Sequence, residues 1–511
     1  MDISNQNSKP TSSPEVTRKV KPISQKENLT TILLLILVFT LIFFTFGFVW
    51  MMTTWSNMTI YEIIYHLKSP LQGTGASMVW SFILKVILPD AAVTLGIGLI
   101  FYLVKGIKRR RLTRIILPCA CLISFIITGT FLCNWLEVPE YLALSSETST
   151  FVDDHYRNPD SEGLIFPSKK RNVVMLFLES METTYSDTAD GGAFPEDVIP
   201  ELTEMAKTGE DFSGTDPSLN GANVLPGTGW TIASVFAQTS GLPLLIPVSE
   251  NSMSEQTSFF PNTQCLGDIL KSQGYTQELL LGSDGSFGGR SLYFSQHGGY
   301  AIEDYNYALE QGWIPEGYKV WWGYEDSKLF QFARNRLTAL AADDKPFNFT
   351  MLTVDTHFED GYLCPECPTT FGDNQYANVM ACSSRQVSSF LAWMQTQDFY
   401  KDTSVVIVGD HPTMDADFCN AVPSDYVRKS YVAYLNSAVS CQDPSLRRDY
   451  SPLDTLPTTL ASMGVTIPDE TLGLGVNLFS SSPTLIEEYG LEDVKTELLK
   501  KSELIDTLFS N

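Results

Sequence analysis

At 511 residues and a formal net charge of −25, the chain is too long for one ordinary domain and too acidic to hold nucleic acid by bulk charge. Its apolar residues are unevenly spread, and the stretch 29–52 has no charge at all and is long enough to cross a bilayer. A second segment, about 78–104, is apolar apart from Lys85 and Asp90, groups that are costly on a lipid-facing helix. A third runs from about 115 to 135. Three membrane helices are expected, with buried helices of a soluble domain as the plain alternative. Lys9, Arg18, Lys19, Lys21 and Lys26 crowd the start of the chain, and 105–114 reads KGIKRRRLTR, whereas the loop after the first segment has only Lys68, offset by Glu62. The bias of lysine and arginine toward the cytoplasm puts the N-terminus and the basic loop inside and everything after about residue 138 outside. The first segment is too long for a signal-peptide core and no small-x-small site follows it, so it stays as an anchor. The expected layout is a cytoplasmic tail 1–28, a membrane region 29–138, a tether 139–170 rich in Ser, Thr, Asp and Pro, an extracytoplasmic domain 171–482 and a helical tail 483–511.

Beyond residue 171 apolar runs alternate with helical patterns, which points to an α/β fold with a mostly parallel central sheet. Strands are expected at 172–178, 275–281, 349–354, 404–408 and 431–435. Helices are expected at 266–273, stopped by Gly274, at 385–396, and along the tail from about 485 to 509. Cys265, Cys364, Cys367, Cys382, Cys419 and Cys441 fall in the outer domain, where an oxidising compartment favours disulfides whose pairing sequence does not give. Cys364-Pro-Glu-Cys367 could also be half a zinc knuckle or a redox pair.

Three of the apolar runs end alike. NVVMLFL runs into Glu179, FTMLTV into Asp355-Thr356-His357, and SVVIV into Gly409-Asp410-His411. Open α/β sheets bind ligands beyond the carboxyl ends of their strands, so three such strands side by side would aim Glu179, His357, Asp410 and His411 into one crevice. A carboxylate at one strand end is often only a solvated turn, and an Asp-His pair alone is weak; the combination carries the argument. A hard oxygen beside an imidazole suits Zn²⁺ or Mn²⁺. For a nucleophile the best region is NVLPGTGWTIASVF, where Thr231 opens an apolar helix. A helix N-terminus favours an anion, although a plain capping role for the hydroxyl is common.

The segments NVVMLFLES, PGTGWTIAS, SFGGRSLY, VDTHF and VVIVGDH resemble, in their order, those of membrane-anchored phosphoglycerol transferases. That family includes lipoteichoic acid synthases and enzymes that decorate periplasmic glucans, within the alkaline phosphatase and sulfatase superfamily. IYEIIYHLKSPLQGTG and GLGVNLFS are similar too, so the likeness spans roughly 29–480. The resemblance implies one divalent metal, commonly Mn²⁺ with Zn²⁺ or Mg²⁺ possible, held by Glu179, Thr231, Asp410 and His411. It implies Thr231 as nucleophile, and Arg290 and His357 as binders of the glycerophosphoryl group, His357 also giving a proton to the leaving oxygen. His297, in YFSQHGGY, matches the glucan-modifying relatives and would touch the acceptor, with a packed histidine as the equal alternative. Gly288 stands where lipoteichoic acid synthases carry a tryptophan, so glycerol recognition would differ. No C/S-x-P-x-R motif lies near Thr231, which argues against sulfate-ester hydrolysis. The implied activity is transfer of glycerophosphate from phosphatidylglycerol to an envelope glycan or teichoic-type polymer, in the cell membrane. The alternatives are a phosphoethanolamine transferase or a phosphodiesterase of the same superfamily.

Overall fold

A computed structural model describes residues 25–56, 58–68, 76–104, 106–159, 163–245 and 258–510. Lys9, Arg18, Lys19, Lys21 and most of the expected cytoplasmic tail lie outside these residues, as does the SPLQGTG half of the segment after the first helix. Contacts divide the chain into one unit of 1–48 with 82–129 and another of 49–81 with 130–511.

The first unit is helical. Among the described residues three helices are long and apolar enough to cross a membrane, at Asn28–Thr54, Met78–Leu103 and Lys108–Trp135, and parts of all three fall in this unit. Val38, Ile42, Ile97 and Phe101 pack together. Leu33, Ile36, Leu95, Leu99, Ile116 and Ile123 stay exposed, as lipid-facing side chains would. The second of these helices is less regular than its sequence suggests, with a π-helical turn at Ile83–Ile87 just ahead of Pro89.

The second unit is built on a seven-stranded sheet: β1 (Asn172–Leu178), β2 (Gly221–Asn223), β3 (Thr276–Leu281), β4 (Ala301–Glu303), β5 (Phe347–Leu352), β6 (Thr403–Gly409) and β7 (Lys429–Leu435). Their order across the sheet is β2-β7-β6-β1-β5-β3-β4. The five strands from β6 to β4 are parallel to one another, while β7 runs antiparallel to β6 and β2 antiparallel to β7. Val173, Met175 and Phe177 of β1 enter one hydrophobic layer, and Val174, Leu176 and Leu178 the other. Both faces are covered, which is why the sequence reads as an unbroken apolar run rather than an alternation. Helices Thr231–Ser240, Leu266–Ser272 and Thr455–Ser462 belong to the first layer; Pro200–Thr208, Asp326–Ala341 and Gln375–Gln395 belong to the second.

Four expectations need adjustment. The strand expected at 349–354 sits at Phe347–Leu352, its ladder to β1 closing with the Thr353 N–H on the Phe177 carbonyl at 3.0 Å. The helix expected at 385–396 begins ten residues earlier, because Asn374 caps it by accepting from the Ala377 N–H at 3.1 Å. The segment 139–170 is no free tether where it is described: Phe151, Val152 and Leu164 are buried, and Arg157 and Ile165 pair with Gly473 and Thr466. The tail is three short helices, not one, and Val494, Leu498, Ile505 and Phe509 are core residues. Among the outer cysteines the structure forms one disulfide, Cys367–Cys382, which closes a loop 15 residues apart in sequence, and leaves Cys265, Cys364, Cys419 and Cys441 as thiols.

Candidate metal and phosphoryl-transfer site

The central strands β6, β1 and β5 stand side by side, and their register sets Leu178 opposite Gly409 and Phe177 opposite Leu352. Glu179 and Asp410 therefore leave the sheet as neighbours. Gly409 is required there, since a Cβ would overlap the Met181 carbonyl. Ser180 takes a left-handed conformation (φ 56°), a strained geometry that is commonly held in place at functional sites. It uses the turn fully: its N–H donates to Asp410 Oδ1 at 2.8 Å and its hydroxyl to Glu179 Oε1 at 2.9 Å.

Thr231 reaches the same point from the other side, at the first turn of a helix whose remaining residues are all buried. Its Oγ1 lies 3.5 Å from Glu179 Oε2 and 3.4 Å from His411 Nε2. His411 Nε2 is 3.6 Å from Glu179 Oε1 and 3.5 Å from Asp410 Oδ2. These separations are long for hydrogen bonds. They suit donors about 2.1 Å from a shared tetrahedral ion, which stand about 3.4 Å apart.

Two further observations fit a cation. Asp410 Oδ2 is buried with no hydrogen-bond partner, an uncommon state for a carboxylate oxygen. His411 spends Nδ1 on the Pro412 carbonyl at 2.9 Å, which leaves the Nε2 lone pair facing the carboxylates, as a metal ligand requires. Electrostatics agree. Burial and then Glu179 push Asp410 up to about 8, while burial of Glu179 is outweighed by His357 and His411, which hold its carboxyl below the usual range. Two carboxylates share too little positive charge, and a divalent ion would supply it.

A cavity of about 240 Å³ opens over this point, with Thr231, Arg290, His357 and His411 on its wall. Arg290 is buried and held by Phe287 and Asp284 carbonyls at 3.0 and 2.8 Å, its planar fork at the cavity wall. His357 commits Nδ1 to the Phe358 carbonyl at 2.7 Å and packs against Trp322; burial pulls its pKa down. Asp355, two residues earlier, stays outside the site and braces the loop by accepting from the Asp326 N–H at 3.0 Å.

His297 is not brought to this cavity. Its Nδ1 bonds Asp268 at 2.8 Å and its Nε2 the Phe259 carbonyl at 2.6 Å, so both nitrogens are used within the fold. Burial opposes its charge, but Cys265, Asp268 and that carbonyl push it up to about 11. Part of the wall carries no signal of this role in the sequence: Trp55, Met58 and Glu62 come from the segment after the first apolar helix, and Met78 from the start of the second. Helix Ile60–Lys68 docks there, with the Tyr65 hydroxyl on the Gly288 carbonyl and the Ser56 N–H on the Met414 carbonyl at 2.8 Å. The only available signal was the family-like IYEIIYHLK, which names no role. Burial raises the Glu62 carboxyl to about 7.

Below the site, Glu182 is fully buried and takes bonds from Arg428 Nε at 2.8 Å, the Tyr185 hydroxyl at 2.7 Å and the Thr413 N–H at 3.1 Å. It ties the β1 turn to the strap that follows His411. Arg428→Ala is expected to strand that charge and cost about 3–5 kcal/mol. Thermal unfolding of the purified chain should show a fall on the order of 10 °C; an unchanged midpoint would mean the pair is dispensable.

Residues 171–415 match the Sulfatase family. Phosphoglycerol transferase I of Escherichia coli O6:H1 (strain CFT073) is 30% identical over 368 residues, covering 69% of this chain and 45% of that protein, and the protein of E. coli O157:H7 (strain EC4115) gives the same figures. The chain thus spans under half the length of the curated relatives it matches. Among solved structures, the lipoteichoic acid synthase LtaP from Listeria monocytogenes aligns with TM-score 0.47 and 14% identity over 65% of this chain and 81% of that one. The integral membrane phosphoethanolamine transferase EptA from Neisseria meningitidis gives 0.46 and 13% over 88% and 84%. Residues 171–415 thus carry a Sulfatase domain.

Proposed function

We propose that the protein is a multi-pass membrane enzyme whose extracytoplasmic domain transfers glycerophosphate from phosphatidylglycerol to an envelope glycan or polyglycerolphosphate acceptor. The observation that carries this reading is the meeting of the Thr231 hydroxyl with Glu179 and His411, beside Asp410, under a cavity walled by Arg290 and His357. Its similarity to phosphoglycerol transferase I supports the choice of head group.

Glu179, Asp410, His411 and Thr231 would hold one divalent ion, Mn²⁺ by family resemblance, with Zn²⁺ or Mg²⁺ also compatible with the donors. When bound, such an ion lowers the pKa of a coordinated hydroxyl and offsets charge on phosphoryl oxygens. Arg290 binds two phosphate oxygens through its fork and orients the phosphorus toward Thr231. In the first half-reaction the Thr231 Oγ1–phosphorus bond forms and the diacylglycerol O–P bond breaks. The threonine proton passes, in net terms, to the diacylglycerol oxygen, with His357 Nε2 handing over the proton at that oxygen. Its lowered pKa makes the protonated ring a ready donor. The second half runs in reverse, with an acceptor hydroxyl in place of diacylglycerol. The apolar walls of Trp55, Met78, Trp230 and Phe287 keep bulk water from replacing the acceptor.

Arg290→Lys keeps the charge and loses the fork, and is expected to lower kcat/KM for phosphatidylglycerol about 10- to 100-fold. A change below threefold would remove Arg290 from phosphate binding. The donor itself is tested by mass spectrometry of products from metal-loaded protein offered phosphatidylglycerol and phosphatidylethanolamine separately. Diacylglycerol from the first alone supports the reading, and diacylglycerol from the second alone replaces it with phosphoethanolamine transfer.

A further inference from the structure

Three cysteines meet where the loop after His357 reaches the helix Gln375–Gln395. Cys367 is bridged to Cys382 of that helix, and the Cys364 Sγ lies 3.2 Å from the Cys367 Sγ. All three sulfurs lie within 4.8 Å of one another. A thiol in contact with a disulfide sulfur is the arrangement from which thiol–disulfide exchange starts. The backbone accommodates the alternative bridge. Cys367 donates its N–H to the Cys364 carbonyl at 3.0 Å, which closes a turn over Pro365 and Glu366. The ends of such a turn stand within about 7 Å, close to the span of about 4.4–6.8 Å that a disulfide crosses.

Cys364 and Cys382 are buried, whereas Cys367 is half-buried between the exposed Glu366 and Pro368. Gln386, one turn beyond Cys382, donates its side-chain amide to the Cys364 Sγ at 3.9 Å. Burial pushes the Cys364 thiol up, so it stays protonated and the Cys367–Cys382 bridge persists until 364–367 shifts.

The two bridges differ in what they hold. Cys367–Cys382 ties the loop to the helix, whereas Cys364–Cys367 would close a ring inside the turn. Without the tie, 358–374 is held to the start of the helix by hydrogen bonds. Among them are the Gln375 amide on the Gly361 carbonyl at 3.0 Å and the Phe371 N–H on Asn378 at 2.8 Å. The same helix steadies the His357 turn, through the Tyr376 hydroxyl on the Thr356 carbonyl at 2.7 Å.

We propose that Cys364, Cys367 and Cys382 form a disulfide-exchange site that releases the loop after His357 from the helix Gln375–Gln395. In the step, Cys364 loses its proton to solvent and its sulfur attacks Cys367. The Cys364–Cys367 bond forms, the Cys367–Cys382 bond breaks, and Cys382 leaves as a thiolate that takes up a proton. One disulfide and one thiol stand on each side, so no oxidant or reductant is consumed. The freed loop holds His357 less firmly, and exchange therefore slows turnover at the phosphoryl site. That last link rests on the glycerophosphotransferase reading; the exchange itself does not.

The test incubates the full chain in lipid nanodiscs with a glutathione redox buffer, quenches it in acid, alkylates free thiols and maps the bridges by mass spectrometry. A fraction of the parent should carry Cys364–Cys367 with Cys382 alkylated, and Cys364→Ser should keep only Cys367–Cys382. Cys382→Ser should form Cys364–Cys367 and speed amide hydrogen exchange over 358–374 about tenfold relative to Cys364→Ser, with β1 unchanged. Diacylglycerol release should fall several-fold in Cys382→Ser and hold in Cys364→Ser. The site is overturned if the parent shows Cys367–Cys382 alone, or if Cys364 and Cys367 both stay thiols in Cys382→Ser. Equal hydrogen exchange over the loop in the two variants overturns the release, and equal diacylglycerol formation overturns the link to turnover. A parent that exchanges bridges without cleaving phosphatidylglycerol leaves the exchange site standing and removes the donor assignment.

Discussion

Thr231→Ala is expected to lower diacylglycerol release from labelled phosphatidylglycerol by at least about 10³-fold, the scale on which loss of a covalent nucleophile acts. Its Oγ1 is the only hydroxyl that the described residues place within 3.5 Å of both Glu179 and His411. No neighbour stands ready to replace it: the Ser180 hydroxyl is spent on Glu179, and the Thr353 hydroxyl accepts the Glu179 N–H at 3.0 Å. Thr231→Ser restores an oxygen at the same position and should recover much of the rate. The fold should survive both changes, because the helix that Thr231 opens is held by the buried faces of Ile232, Val235 and Phe236. Alanine activity within tenfold of the parent would mean that some other group attacks phosphorus.

Removal of the divalent ion by a chelator should abolish turnover and lower the melting temperature, and re-addition of Mn²⁺ should restore both. A ligand at a hundred times its Kd stabilises the state it binds by about 2.7 kcal/mol. His411→Ala is expected to lose that metal-dependent rise. Asp410→Asn should lose it too, yet the metal-free variant should be at least as stable as the metal-free parent. The sign follows from geometry: Asp410 Oδ2 is buried without a partner and shares its surroundings with Glu179, so removing its charge relieves repulsion. A chain whose melting temperature ignores chelator and metal alike would contradict a cation at these four residues.

The parts of the site that sequence disclosed are those dictated by the sheet. β1, β5 and β6 are buried on both faces, so each is an uninterrupted apolar run, and the first polar residue marks where the strand leaves the core. That made Glu179, Asp410 and His411 visible as a group. Thr231 was visible through the glycine-proline turn before an apolar helix. The juxtamembrane wall was not: Trp55, Met58, Glu62 and Met78 lie far ahead of β1 in the chain, and no periodicity links them to a cavity. His297 drew attention because YFSQHGGY resembles the glucan-modifying relatives, but a side chain's hydrogen-bond partners are tertiary facts, and here Asp268 and the Phe259 carbonyl take both nitrogens. The tail followed the same logic. Its apolar residues at helical spacing suggest one surface helix, while Gly490 and the Lys500–Ser502 break that divide it act through local backbone geometry, and Val494, Leu498, Ile505 and Phe509 are buried.

The central claim is that Thr231, gathered with Glu179, Asp410 and His411 around one cation, carries the phosphoryl group between donor and acceptor. Peptide mass mapping of metal-loaded protein, quenched after incubation with phosphatidylglycerol and no acceptor, tests it directly. The account predicts one glycerophosphoryl group on the peptide containing Thr231, absent after chelation and absent in Thr231→Ala. A glycerophosphoryl group on any other residue, or its persistence in Thr231→Ala, would contradict it.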